Sequence, residues 1–278
     1  MNKKSRWSFL SNGYLLLILL FIYLPIAYVV LFSFNDGKSM TKFAGFSLRW
    51  YEAMFKDRTM LESIRTTVVV AVIATAVSTV VGTITAIGLS KARPLIRAAV
   101  LEVNNLPVLN PDIVTAIGLM LLFIVPGVRL SLTTLILAHI TFCIPYVILT
   151  IMPKLRQLDD NVAEAALDLG ANPWQALTRV ILPQIYPAIL SGALIAFSMS
   201  FDDFVISFFT AGVGVNNISM YVYSMKRFNP SVNALSTLIV VVVTLILVLA
   251  NLIPVIKDKK NKREEQRLGK RSLLCCSR

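Results

Sequence analysis

The sequence predicts an all-α membrane protein: six transmembrane helices in one domain, with a cytoplasmic helix-turn-helix between the fourth and fifth. Three observations carry that fold class. Hydrophobic residues make up 56% of the 278 and charged residues only 15%, with a positive mean hydropathy. The apolar residues gather into runs of bilayer length, which a soluble core does not need. One long segment, LDDNVAEAALDLGANPWQALTRVILPQIYPAI, is helical in pattern yet too polar to span.

Taken in order, the N-terminus MNKKSRWSFLSNGYLLLILLFIYLPIAYVVLF joins a basic start to an apolar stretch at about 14–34. That stretch is long enough to cross a bilayer, and no small-residue cleavage site follows, so it reads as a retained signal anchor. Further spans are expected at about 66–89, 131–152, 184–209 and 234–256. A sixth, near 108–126, is shorter and begins within NNLPVLNPDIV. The prolines and asparagines there predict a broken helix whose freed backbone groups line a cavity. With both termini inside, the inner segments hold 18 Lys and Arg residues and the outer ones 8, so the bias in basic residues places both termini in the cytoplasm.

The formal net charge is +12, which in a soluble chain would suggest nucleic acid. Here nine of the basic residues follow Ile256, and a flexible cytoplasmic tail (257–278) against anionic lipid headgroups is the expected reading, with no nucleic-acid partner. Residues 1–256 form the single transmembrane domain. The three cysteines, Cys143, Cys275 and Cys276, give neither a disulfide framework nor metal spacing. The outer segments hold FSLRWYEAMF and ISMYVYSMKRF, each expected as a short interfacial helix. Trp50, Tyr51, Tyr221 and Tyr223 then serve either as headgroup anchors or as the entrance for a cationic solute through cation–π attraction.

In the cytoplasmic segment, about 155–183, Asn161 and Glu164 have the spacing of a capping box, and Gly170 stands where a left-handed C-cap excludes a Cβ. Asn172 and Pro173 then read as N-cap and first position of a second helix, interrupted at Pro183. Glu164, Ala165, Ala166, Gly170, Val180 and the Leu182–Pro183 pair, in this order and spacing, resemble the EAA motif of the membrane subunits of bacterial ABC importers. The resemblance runs over most of the chain, through NPDIVTAIGLMLLF, LTTLILAHITFCIPYVILT, EAALDLGANPWQALTRVILP, SFDDFVISFF and PSVNALSTL, and is to permeases of the spermidine/putrescine type. It implies a six-span permease of the inner membrane that pairs with a second permease, a cytoplasmic ATPase dimer and an extracytoplasmic polyamine-binding protein. It also implies that Glu164, Ala165, Ala166, Gly170, Leu182 and Pro183 couple the permease to the ATPase. ATP and Mg are expected on that ATPase, since this chain has no GxxxxGK[ST] loop; the chain itself is not expected to be an enzyme.

FSMSFDDFVISFF, residues 197–209, sets two carboxylates inside an apolar run. Each is disfavoured at mid-bilayer by roughly 2.5 kcal/mol or more, so such groups turn toward protein or water. As one helix, the segment puts Phe197, Phe201, Phe204 and Phe208 on one stripe, with Asp202 and Asp203 flanking the opposite face beside Ser200. The spans offer no Lys or Arg to neutralise them, and His139 is the only other basic candidate. The pair is therefore expected to meet a passing cation, the alternative being that each Asp pairs with a neighbouring helix or caps a helix break. Asp112 is either a third cation contact or an N-cap, and Ser200 and Trp50 complete the expected pathway. His139 and Cys143, at i and i+4, are expected to pack rather than to hold a metal. Against the importer of polyamines stand an importer of another cation, an amino acid or ferric iron, and a secondary cation carrier with an acidic ion site.

Overall fold

The computed structural model describes residues 3–39, 41–158, 161–225, 229–245 and 248, without the side chains of residues 3–12 and of Ala163. In chain order the helices are α1 (Lys3–Ser33), α2 (Arg49–Lys56), α3 (Arg58–Lys91), α4 (Pro94–Leu109), α5 (Asp112–Ile124) and α6 (Leu132–Arg156). They continue as α7 (Asn161–Asp168), α8 (Pro173–Gln175), α9 (Leu182–Asp202), α10 (Val205–Thr210), α11 (Ile218–Ser224) and α12 (Ser231–Leu245). Four helical stretches among the described residues are long and apolar enough to span, at Gly13–Ser33, Arg58–Lys91, Leu132–Arg156 and Pro173–Asp202. The pair α4 and α5, bent by 108°, makes a fifth if taken as one span. α12 is a shorter apolar helix; the rest of the span expected at 234–256, and the tail 257–278 with Cys275 and Cys276, lie outside the described residues.

The helices fall into two units, one drawn from residues 1–57 and 226–278 and the other from 58–225. In the first, the connection from α1 to α2 is organised by Asn35. Its buried side chain donates to the carbonyls of Ser39 and Lys42 (both 3.0 Å) and accepts from the N–H groups of Gly37 (3.2 Å) and Ala44 (2.8 Å). A buried amide whose donors and acceptor are all used fixes a loop that hydrophobic packing alone leaves free. Trp50 sits in the same assembly, 7% exposed, with Nε1–H donating to the Asn35 carbonyl at 2.7 Å. The expected short helix is therefore present as α2, but Trp50 is not an exposed headgroup anchor, because its one polar hydrogen is satisfied inside the unit.

In the second unit α3, α6 and α9 pack on one another around Val147, which is fully buried. A Cβ on Gly82 of α3 would lie 2.7 Å from Val147 Cγ1, and one on Gly192 of α9 would lie 3.5 Å from Val147 Cα. Small residues on two helices thus make room for a β-branched one on the third, the close packing that joins helices where lipid offers no hydrophobic driving force. Ala86, Ala138, Cys143, Ile151, Ile185 and Ala196 extend this core.

The helix-turn-helix forms as expected at its glycine. Gly170 has φ +88°, its N–H reaches the Leu167 carbonyl (2.9 Å), and the Ala171 N–H reaches that of Ala166 (3.1 Å), which is a Schellman C-cap. Asn161 opens α7, residues 159 and 160 lying outside the described residues, and a capping box is seen one helix later. There Asn172 Oδ1 accepts from the Gln175 N–H (2.8 Å), and Gln175 Oε1 from the Asn172 N–H (3.0 Å). Pro183 does not interrupt the second helix. Residues Ala176–Ile181 widen into a π-turn, in which the Leu182 N–H bonds the Leu177 carbonyl, and the chain continues into α9. The extra residue in the turn accommodates the proline ring, which would otherwise strike the carbonyl four residues back.

Candidate functional site

The run expected as one helix over 197–209 is broken at its acidic pair. α9 ends at Asp202, Asp203 has an extended backbone (φ −61°, ψ 132°), and α10 resumes at Val205. Asp203 causes the break by capping the start of α10. Its Oδ1 accepts from the Ile206 N–H (3.2 Å) and its Oδ2 from the Ser207 N–H (2.7 Å), satisfying donors that a helix start leaves free. The phenylalanine stripe is accordingly divided into two ring pairs, Phe197–Phe201 (5.6 Å) and Phe204–Phe208 (5.5 Å).

His139 of α6 bridges the break. One ring nitrogen, Nδ1, lies 2.7 Å from Ser200 Oγ on α9, and the other, Nε2, lies 3.0 Å from Ser207 Oγ on α10 and 3.5 Å from Asp203 Oδ2. A neutral imidazole has one donor and one acceptor, and a serine hydroxyl serves as either, so the buried ring is satisfied in both tautomers. Asn217, the N-cap of α11, closes the network: its Nδ2 donates to Ser207 Oγ and to the Asp203 carbonyl (both 2.8 Å), and its Oδ1 accepts from the Met220 N–H (2.8 Å). The next residue ties the network to α3, the Ile218 N–H donating to Thr67 Oγ1 at 2.9 Å.

The two aspartates therefore differ. Asp203 is enclosed and committed to the α10 cap, whereas Asp202 is exposed, and among the described residues its carboxylate has no hydrogen-bond partner beyond its own backbone N–H. Asp202 also stands at the C-terminal end of a 21-residue helix, where unpaired carbonyls add partial negative charge. Between Leu182 and Ser224 the sequence holds no Lys or Arg. Asp112, exposed, is the first residue of α5, just past the 108° bend at Asn110 and Pro111, and lies within electrostatic range of Asp203 and Tyr146. The fold thus gathers Asp112, Ser200, Asp202 and Asp203 around one helix break. Trp50 belongs to the other unit, where the Arg49 guanidinium already lies 4.8 Å over its ring. Among the described residues no group of three metal-ligating side chains occurs; Cys143 donates to the Ala196 carbonyl (3.5 Å), in keeping with a packing role.

The family model of the binding-protein-dependent transport system inner membrane component matches residues 78–262, more than half of the chain, the acidic helix break included. The chain belongs to that family. The permease is 38% identical over 247 residues to the spermidine/putrescine transport system permease protein PotC of Haemophilus influenzae, covering 88% of this chain and 96% of that one. It is 36% identical over 269 residues to the putrescine transport system permease protein PotI of Escherichia coli K12, covering 91% and 93%. Its fold is that of a bacterial ABC transporter chain involved in alginate import, with TM-score 0.71 and 17% identity over 91% of this chain and 97% of that one. The permease is a transport subunit and not an enzyme.

On the permease, Glu164 and Ala165 are exposed on α7, as are Leu169 at its end and Trp174 at the start of α8. An exposed acidic side chain among small and large apolar ones is a surface suited to a protein partner. Sequence reasoning missed Asn217 and Ser219. The signal for Asn217 was present, an Asn directly before the short helical run ISMYVYS, but nothing local shows that the same side chain turns back to Asp203.

Proposed function

We propose that the permease forms, with a second permease chain, the path by which polyamines of the spermidine and putrescine class cross the inner membrane. An extracytoplasmic binding protein delivers them, and both termini of the chain are cytoplasmic. ATP and Mg are held by an ATPase dimer that docks on α7 and α8 through Glu164, Ala165, Ala166 and Gly170, with Leu182 and Pro183 at the foot of α9 carrying the motion into the span. The observation that carries the reading is the exposed Asp202 carboxylate at the negative end of α9, in a segment without a basic residue. A polyammonium cation relieves the penalty of leaving that charge in a low-dielectric pathway. Asp112, at the α5 bend, supplies a second carboxylate, while Asp203 and Ser200 position the break. Trp50, whose N–H and one ring face are engaged within its own unit, is not included in this proposed path. The names of the relatives favour polyamines over the other cations.

The test is uptake of radiolabelled spermidine and putrescine by proteoliposomes carrying the assembled transporter. Asp202→Asn keeps size and loses charge; uptake is expected to fall by at least tenfold with the complex still assembled on size-exclusion chromatography. Undiminished uptake by Asp202→Asn would remove Asp202 from the path.

A further inference from the structure

Where the end of α6 meets the start of α4, within the second unit, lies a basic cleft that the acidic path does not use. Pro94, Arg97, Ala98 and Leu101, at i, i+3, i+4 and i+7 on one face of α4, form its wall, and Arg156 of α6 completes it; its volume is about 370 Å³. Arg97 is half-buried and Arg156 exposed. The Lys and Arg ion pairs among the described residues, Arg49–Asp36 and Lys56–Glu52, both belong to the other unit. The two arginines thus share a cleft without a described carboxylate; Asp159 and Asp160, which follow α6 in sequence, lie outside the described residues. Lys91, Arg93 and Lys154 stand at the same helix ends, and from Lys91 to Leu101 the sequence has no Asp or Glu. Guanidinium groups brought together repel, and a half-buried one has lost part of its hydration. An anion relieves both.

The surroundings select which anion. A guanidinium fork matches two oxygens of a phosphate. No side chain caps the start of α4, so the N–H groups of its first turn add partial positive charge, while the carbonyls that end α6 favour Arg156 where it stands. Beside the arginine face, Ile96, Val100 and Val103 repeat at helical spacing and are 53%, 38% and 65% exposed. A phosphate that carries hydrocarbon covers both surfaces, whereas inorganic phosphate covers one. We infer that Arg97 and Arg156 bind the phosphate of an anionic phospholipid, with an acyl chain along Ile96, Val100 and Val103. A zwitterionic lipid brings an ammonium into the same basic cleft and is disfavoured there. Bound in this way, the lipid neutralises the repulsion between two helix ends, one of which opens the bent pair α4 and α5. The inference is independent of the solute carried and of the acidic path.

The experiment places the assembled transporter in phosphatidylcholine nanodiscs with a trace of photoactivatable lipid, either phosphatidylglycerol or phosphatidylcholine, each bearing a diazirine high on one acyl chain. Peptide mass spectrometry then reads the labelling of residues 94–103. Phosphatidylglycerol is expected to label this stretch roughly tenfold more than phosphatidylcholine, the scale of two basic side chains against an anionic headgroup. Arg97→Gln combined with Arg156→Gln is expected to remove the difference. Arg97→Lys combined with Arg156→Lys, which keeps the charge and loses the fork, is expected to fall between. Equal labelling of the unaltered transporter by the two lipids overturns the site and needs no variant to do so. If inorganic phosphate at constant ionic strength abolishes the phosphatidylglycerol labelling, the cleft holds free phosphate and the lipid assignment falls. If phosphatidylglycerol does not label the unaltered transporter and the glutamine pair loses the ATPase on co-purification, the arginines meet that subunit and the assignment falls equally.

Discussion

Adjacent aspartates in one apolar run carry different roles because one of them is held by backbone N–H groups. Conversion of Asp203 to Asn keeps one of the two cap bonds, through the remaining carbonyl oxygen, whereas conversion to Ala strips the α10 start of both acceptors, roughly 1 kcal/mol for a cap of this kind. Asp203→Ala is therefore expected to lower the thermal midpoint of the detergent-purified complex below that of Asp203→Asn, while Asp202→Asn leaves the midpoint unchanged and lowers uptake. His139 makes a stronger prediction. Its removal leaves the buried Ser200 hydroxyl without its ring partner, at about 1–3 kcal/mol for a group left unsatisfied, while Ser207 Oγ keeps the Asn217 amide. His139→Ala is expected to drop the thermal midpoint by several degrees, and His139→Gln to recover part of the loss; equal midpoints for all three proteins would show that the bridge does not hold the break. Sequence reading named His139 as the one basic candidate near the acidic pair, but a contact across 61 to 68 positions has no local signature.

At the scale of elements, broken helices are the recurring device, and each break has its own cause. Pro111 and the bend of 108° separate α4 from α5, Asp203 separates α9 from α10, and the π-turn before Pro183 keeps α8 and α9 in one line. The first was legible, because proline denies the backbone a donor wherever it stands. The second was read as a continuous helix, because aspartate stops a helix only if its side chain finds the N–H groups ahead of it. Gly170 gives the test of the coupling turn: a Cβ at φ +88° is strained by about 1–2 kcal/mol, so Gly170→Ala is expected to weaken co-purification of the ATPase and reduce uptake several-fold, with the membrane-spanning part still folded. Within the α3–α6–α9 core, Gly82→Ala drives a methyl into Val147 and is expected to destabilise by roughly 1–3 kcal/mol. Gly88→Ala, on the same helix with open space around it, is expected to leave the melting curve in place or raise it.

Across the whole molecule, the distribution of Lys and Arg predicts which end of each span is cytoplasmic, and the α8–α9 stretch offers a direct check. In a background without native cysteines, single cysteines at Trp174, where α8 begins, and at the exposed Val213, beyond α10, are expected to react with membrane-impermeant maleimide from opposite sides of inner-membrane vesicles. Labelling of both from one side would invert the helix assignment on which the proposed path depends. The proposed second permease chain has surface to meet, since α4 buries none of its side chains and α1 exposes most of its described apolar ones. Surfaces of that kind meet lipid or another permease.

By itself the sequence determined the class of the protein, its helical character, the approximate places of four apolar spans, the glycine-capped turn and the short helices α2 and α11. All of these follow from runs of apolar residues and from residues such as Gly170, Pro111 and Asn172 whose backbone chemistry acts locally. Only the tertiary structure decided that Asp203 caps while Asp202 stays exposed, that Trp50 is enclosed with Asn35, and that His139, Asn217 and Thr67 are joined at one helix break. Those outcomes depend on which side chains meet across tens of residues, and a helical wheel, which treats each helix as continuous and alone, contains no term for them.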